Sequence, residues 1–249
     1  MDNMNKRPNF YKDRICLNVL TQTLENAQEL YEVSGGYILL GLLTKLYNSD
    51  EEYMENVRKY QKKCNNAISV GLGSGDPSQS MMVSRVSSVL QPQHVNQVFS
   101  GVGYSRALLG QQETFINALV SPTGKIGYVN IATGPLSSKG KPVNIKISSA
   151  IDILKDMGAS SIKYFPMDGL KYIDEYKEIC RICAEKDFPL EPTGGITTDN
   201  FEEVIRIPYE SGVKKIIPHV YNSIIDKEKN LTRYEDVSKL MMIIKKIII

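Results

Sequence analysis

The sequence predicts one α/β domain with the (β/α)8 TIM-barrel architecture over residues 1–249. Three observations lead there. Short apolar or β-branched runs alternate with longer amphipathic stretches, eight times in series. No Pro/Gly/Ser-rich linker divides the chain. The 249 residues match the roughly 250 that one such barrel needs. Strand–helix units in series imply parallel strands with right-handed crossovers, and eight units point to closure. An open doubly wound sheet is the runner-up, and it usually has fewer strands.

The expected strands are residues 15–20, 37–43, 67–72, 94–99, 115–120, 161–165, 190–193 and 214–218. Their near-continuous apolar character suits strands buried on both faces. The expected helices are 23–33, 51–64, 78–90, 103–111, 148–157, 172–186, 198–210 and 233–247. Gly158 follows the pattern Ile151, Leu154, Met157 and reads as a helix stop, and Gly212 does the same before 214–218. Thr198 or Asp199 is the expected N-cap before Phe201. One segment breaks the rhythm. Residues 121–147, rich in Gly and Pro, form an insertion after the fifth strand, with 126–132 its best strand of a hairpin. Such an insertion sits at the C-terminal mouth of a barrel, where loops build active sites; otherwise it is a surface loop without a role.

Composition narrows the function. Lys plus Arg number 30 and Asp plus Glu 28, a net charge of +2, which leaves no electrostatic footprint for nucleic acid. Apolar residues at 42% and charged residues at 23% are values of a folded globular chain. Four cysteines (Cys16, Cys64, Cys180, Cys183) are too few for a disulfide scaffold, so a reducing cytoplasm is expected. The start, MDNMNKRPNF, lacks the apolar region of a signal peptide. The terminal KLMMIIKKIII is short of the ~20 residues of a membrane span and is interrupted by Lys245 and Lys246. It is expected to end a packed helix and to sit at a subunit contact, so a homo-oligomer is anticipated.

Reactive groups at strand ends locate the chemistry. In SSIKYFP (160–166), alternation puts Ser161, Lys163 and Phe165 on one face, and Ile162 and Tyr164 on the other. With helices outside, Lys163 points inward, where an ammonium must be paired or lose its proton. A neutral amine is the nucleophile that forms a Schiff base with a ketone; a structural lysine paired with a carboxylate is the alternative. In LEPTGGI (190–196), Thr193, Gly194 and Gly195 end a strand and run into a helix, where bare N–H groups can cradle an anion. KKIIPHVY (214–221) ends the last strand with His219 and is followed by Asn222 and Ser223. Loops after strands seven and eight often bind phosphate together.

IKYFPM followed by EPTGGI resembles the Schiff-base and phosphate-binding strands of the 2-keto-3-deoxy-6-phosphogluconate (KDPG) and 4-hydroxy-2-oxoglutarate aldolases. The runs SVGLGSGDP, QPQHVNQVF, SRALLGQ, NALVSPTGK and SSIKYFPM are similar, over nearly the whole chain, to a longer relative, the KDGP aldolases of glucosaminate breakdown. The resemblance implies a (β/α)8 barrel and a class I lyase without metal or other cofactor. It puts the Schiff-base lysine at Lys163 and substrate contacts at Thr193, Gly194 and Gly195. It also implies a small phosphorylated keto sugar acid as partner; from the charge balance and the short apolar tail, no nucleic acid and no membrane are expected. The expected reaction is cleavage of 2-dehydro-3-deoxy-6-phosphogluconate to pyruvate and glyceraldehyde 3-phosphate, with 4-hydroxy-2-oxoglutarate cleavage as the alternative.

The departures bear on the base. The family's catalytic glutamate lies on strand two in an E-x-T-x-R-T pattern, and strand two here reads YILLGLLTKLY, with no glutamate. Thr44 and Lys45 are nearest to the displaced basic residue that holds the pyruvate carboxylate. Glu191 shares a face with Thr193 and could serve as base, or simply pair with Lys163. His94, which shares a face with Asn96, and His219 are the only histidines; either could relay a proton or contact substrate. Cys180-x-x-Cys183 lies mid-helix without a second pair and is not expected to bind metal. The glycine spacing of Gly71–Gly73–Gly75 is wrong for a dinucleotide site and suits a mobile mouth loop. A metal-dependent aldolase or isomerase and a non-catalytic binding protein remain the rival readings.

Overall fold

The computed structural model describes residues 4–248. In chain order the strands are β1 (Leu17–Leu20), β2 (Ile38–Leu43), β3 (Ile68–Gly71), β4 (His94–Val98), β5 (Phe115–Val120), β6 (Tyr128–Asn130), β7 (Asn144–Lys146), β8 (Ser161–Tyr164), β9 (Leu190–Pro192), β10 (Ile225–Asp226) and β11 (Leu231–Thr232). The helices are α1 (Leu24–Val33), α2 (Asp50–Lys63), α3 (Ser80–Leu90), α4 (Val102–Leu109), α5 (Ile147–Asp156), α6 (Ile173–Glu185), α7 (Phe201–Glu210) and α8 (Tyr234–Ile247). Seven strands form one curled sheet in the order β1-β2-β3-β4-β5-β8-β9, and every neighbouring pair is parallel. The helices cover its outer face. From α1 to α4 and from α5 to α8 each helix packs against the next, and α8 also packs against α1.

Local chemistry explains the elements. Thr23 and Ser49 cap α1 and α2 through their hydroxyls. Helix α2 carries Asp50, Glu51 and Glu52 in its first turn and Lys62 and Lys63 in its last, in line with its dipole. The outward side chains of the sheet, such as Leu40, Val70, Val95, Ile162 and Tyr164, join one continuous apolar core with the helices. Burying such a side chain contributes about 1.5–3 kcal/mol each.

Four expectations need adjusting. Residues 214–218 form no continuous ladder strand. Instead Ile216 bridges Ile15 and Leu190, and His219 bridges Asn18 and Thr193, all in parallel. Pro218 has no N–H to give, but its carbonyl accepts from Asn18 N at 3.0 Å. Neither Thr198 nor Asp199 caps α7. The cap position is Asn200, and the turn before it is closed by Thr197, whose Oγ1 accepts from Asp199 N and Asn200 N. In the insertion, the hairpin pairs the shorter β6 with β7 in antiparallel register. The apolar C-terminal run is used within the chain: Ile244, Ile247 and Ile248 are buried. The subunit contact anticipated for that run therefore loses these side chains, and Ile249 and residues 1–3 of the polar start lie outside the described residues.

Candidate active site

The inner face of the sheet is polar, which apolar parallel strands would not predict. Asn18, Ser69, His94, Asn96, Asn117, Ser161, Glu191 and His219 are all buried there, and buried polar groups must be hydrogen-bonded. Glu191, from β9, is the hub. It has no exposed surface, and its two oxygens accept from four side chains. His94 Nε2 lies 3.1 Å from both oxygens, His219 Nε2 2.7 Å from Oε2, and Asn117 Nδ2 2.7 Å from Oε2. The Ser161 hydroxyl donates to Oε1. Burial alone would raise the carboxyl pKa, but the two histidines outweigh it and hold Glu191 well below the usual carboxylate range.

Because each histidine gives its Nε2–H to Glu191, each Nδ1 is left as an acceptor. His94 Nδ1 faces the Ser69 hydroxyl at 2.7 Å. His219 Nδ1 faces the Tyr221 hydroxyl at 3.0 Å and Lys163 Nζ at 3.4 Å. The ligand atoms of His94, Glu191 and His219 lie within 4.8 Å of one another, the only such group among the described residues. Their short contacts fit a hydrogen-bonded cluster, because the carboxylate that would bind an ion already accepts from four donors.

Above this floor opens a cavity of about 580 Å³ at the C-terminal ends of the strands. Lys163, from β8, stands at its base. Its Nζ donates to Asn96 Oδ1 at 2.9 Å, and that oxygen also accepts from Asn117. Burial lowers the Lys163 pKa to about 8, even though Glu191 pulls the other way. Burial, followed by the neighbouring Lys163 charge, lowers His219 to about 3, so the imidazole is neutral. The cavity thus offers an amine that can shed its proton near neutral pH beside a neutral histidine.

The wall of the cavity after β9 is a turn. Gly194 and Gly195 have φ of +100° and +70°, a backbone that side chains rarely adopt. A Cβ on Gly195 would lie 2.3 Å from Gly169 N. The turn is locked to the loop after β8 by Met167 N to Thr193 O at 3.0 Å and Gly169 N to Gly194 O at 2.9 Å. Gly195→Ala is therefore expected to destabilise the fold by about 2 kcal/mol or more and to cut activity with it. Urea unfolding of the two proteins checks this. On the facing rim, Gly73 lets the Lys45 stem lie against the backbone, since a Cβ there would come within 2.3 Å of Lys45 Cδ. Lys45 Nζ sits 3.4 Å from Ser74 Oγ.

The structure brings most of the expected residues together. Lys163, Lys45, Asn96, Thr193, Gly194, Gly195, His219 and Ser223 all line the cavity. Three do not. Glu191 and His94 lie beneath its floor, so neither can touch a ligand directly. Thr44 turns away, its hydroxyl donating to Gly71 O at 3.1 Å. Ser223 is tied down by donating to Ile196 O at 2.7 Å. Sequence reasoning missed Tyr221, Asn117 and the role of Ser161. Their signals were present: Tyr221 is two residues beyond His219 and so shares its face, and Asn117 is the one polar side chain in FINALV. The C-x-x-C pair is buried and unbridged, and burial pushes both thiols up.

The model of the KDGP aldolase family matches residues 11–228. The chain belongs to the KDGP aldolase family. It is 40% identical over 244 residues to the 2-dehydro-3-deoxy-phosphogluconate aldolase of Salmonella typhimurium (strain 14028s / SGSC 2262), covering 96% of this chain and 98% of that one. Among solved structures it is similar to TrpF from Jonesia denitrificans (TM-score 0.57, 9% identity, 94% and 98% of the two chains). It is also similar to (S)-3-O-geranylgeranylglyceryl phosphate synthase from Thermoplasma acidophilum (TM-score 0.57, 13% identity, 94% of each chain). The carboxyl transferase domain of Rhizobium etli pyruvate carboxylase is matched at TM-score 0.55 and 11% identity; this family member covers 94% of itself but spans only 47% of that chain. At such identities these likenesses concern the fold alone. Among the described residues, no helix is long and apolar enough to cross a membrane.

Proposed function

We propose that this family member is a class I aldolase that cleaves 2-dehydro-3-deoxy-6-phosphogluconate to pyruvate and glyceraldehyde 3-phosphate through a Schiff base on Lys163. One observation carries the reading: a half-buried lysine, its pKa lowered to about 8, stands at the base of a cavity large enough for a sugar acid. Membership of the family and the name of the Salmonella relative support the substrate. The neutral Lys163 amine adds to the C2 ketone; the carbinolamine hydroxyl takes one proton from solvent and leaves as water, which gives a protonated imine. A base takes the C4 hydroxyl proton, the O–H pair becomes the C4 carbonyl, and the C3–C4 pair moves into C2=C3 as the imine nitrogen recovers its lone pair. Glyceraldehyde 3-phosphate leaves, and hydrolysis of the enamine frees pyruvate and Lys163.

In this reading Asn96, fixed by Asn117, orients Nζ through the 2.9 Å bond to its oxygen. Thr193 and nearby backbone amides hold the carboxylate, and the Gly194–Gly195 turn together with the Asn222–Ser223 segment holds the phosphate. Glu191 and His94 act from beneath as positioning residues, replacing the direct base role first expected of them. Lys45 brings its charge to an anionic end of the substrate from the rim. Lys45→Met is expected to raise KM at least about tenfold with kcat within about threefold, because the contact is made in ground and transition state alike. Steady-state kinetics at fixed ionic strength checks this.

The seven-stranded sheet becomes a closed (β/α)8 barrel, one domain over residues 1–249, if residues 216–219 count as the eighth strand. Their parallel bridges to both β9 and β1 support that. Four free, buried cysteines support a cytoplasmic location. A homo-oligomer rests on exposed Ile126, Leu136 and Val143 of the 121–147 insertion, and light scattering tests it. The cleavage itself is tested by coupled assay of pyruvate release from 2-dehydro-3-deoxy-6-phosphogluconate. The expected result is turnover that a chelator leaves unchanged. No pyruvate release, or loss of activity on chelation, would overturn the reading.

A further inference from the structure

The mechanism above leaves one proton without a carrier. Removal of the C4 hydroxyl proton needs a base that touches the substrate, and Glu191 and His94 are closed off beneath the floor. We propose that Tyr221 is a further catalytic residue, passing the C4 hydroxyl proton of the bound substrate to His219 Nδ1. This rests on the Schiff-base reading and deepens it.

Four observations carry the assignment. Tyr221 lines the cavity. Its hydroxyl is 3.0 Å from His219 Nδ1 and 3.1 Å from Asn18 Oδ1. Asn18 gives its amide hydrogens to Ser69 Oγ at 3.1 Å, so its oxygen is the atom turned toward Tyr221. Glu191 takes His219 Nε2–H at 2.7 Å, which leaves Nδ1 bare on the cavity side. The phenol thus has one hydrogen and two acceptors, and can hand that hydrogen to the histidine while taking another from substrate. Lys163 Nζ shares the same Nδ1 at 3.4 Å. In the imine, the C4 oxygen is four bonds from that nitrogen, a span the two neighbours of one ring nitrogen can bracket.

The charges agree with the order of events. His219 is kept neutral by burial and by the cation on Lys163. When the C3–C4 bond breaks, the imine cation becomes a neutral enamine. The charge that opposes protonation of His219 is lost as the proton arrives. The balance closes: the substrate proton goes to Tyr221 Oη, the Tyr221 proton to His219 Nδ1, the O–H pair to C4=O, and the C3–C4 pair to C2=C3. The imidazolium is then held by the Glu191 carboxylate, and the same path runs backward for condensation.

The test is Tyr221→Phe, which removes one oxygen and keeps the ring, read three ways: thermal midpoint, cleavage rate, and borohydride trapping of pyruvate on Lys163. Pyruvate has no C4 hydroxyl, so trapping does not need the relay. The expected result is an unchanged midpoint, wild-type trapping, and a kcat at least about 100-fold lower. Cleavage within about threefold of wild type would overturn the proposal, as would parallel loss of trapping and cleavage, which marks a structural role. His219→Gln is the second arm: it is expected to lose a similar factor in kcat, with the double variant no more than about threefold slower than the slower single. Multiplied losses would overturn the relay. Absence of trapping in the wild type would instead overturn the Schiff-base reading beneath it.

Discussion

Replacing Lys163 with alanine is expected to lower retro-aldol turnover by at least about 10⁴-fold, the scale on which loss of a covalent nucleophile acts. Ionisation contributes as well as position. With a pKa of about 8, about a tenth of Lys163 is neutral at pH 7, against about one part in three thousand for an ordinary lysine at 10.5. The enclosure that depresses the pKa is the same that aims Nζ at Asn96 and His219. The rate of imine formation should therefore rise about tenfold per pH unit below 8 and level off above it. Trapping rates from pH 6 to 10 would show this, and a rate still rising tenfold per unit between pH 9 and 10 would contradict the local pKa.

The second large effect concerns the hub beneath. Glu191→Ala is expected to destabilise the fold by about 3–5 kcal/mol, because it leaves two buried histidines, Ser161 and Asn117 without their acceptor. Glu191→Gln should cost less, since its carbonyl still accepts, but its amide meets donors on the other side. Activity should fall with both, as His219 loses the partner that fixes its Nε2–H tautomer. The pH dependence has a definite sign. His219 binds a proton at 6.5 when unfolded and only at about 3 when folded, so its contribution is full above 6.5 and is lost as the pH falls toward 3. Glu191 ionises more easily folded than unfolded, so its contribution is full above the unfolded value near 4.5 and lost below it. Wild-type stability should thus decline as the pH drops below about 6.5 and fall faster below 4.5. Urea midpoints across pH 3–8 measure it, and in Glu191→Ala the lower part of the decline should flatten.

Much of this was legible in the sequence because period and burial leave direct traces. The alternation of apolar and amphipathic runs gave the parallel sheet, and the period-two rule turned Lys163 inward while sending Ile162 and Tyr164 to the helices. The glycines after Thr193 announced a turn that tolerates no side chain. Other features depend on contacts between distant strands. Glu191 could be read as a base from its face on β9. That it is saturated by donors from β4, β5, β8 and the 216–219 segment is a property of the assembled strands, invisible in any one of them. Tyr221 shared the face of His219, but only the 3.0 Å contact makes the pair a unit. Residues 214–218 read as a full strand because apolar content does not reveal where a proline interrupts the ladder.

The most direct measurement is borohydride reduction of the protein with pyruvate, followed by peptide mass spectrometry. The prediction is a reduced pyruvyl adduct on Lys163 alone, absent from Lys163→Ala and absent without pyruvate. No adduct, or one carried by another lysine such as Lys45, would contradict the assignment of Lys163 as the nucleophile.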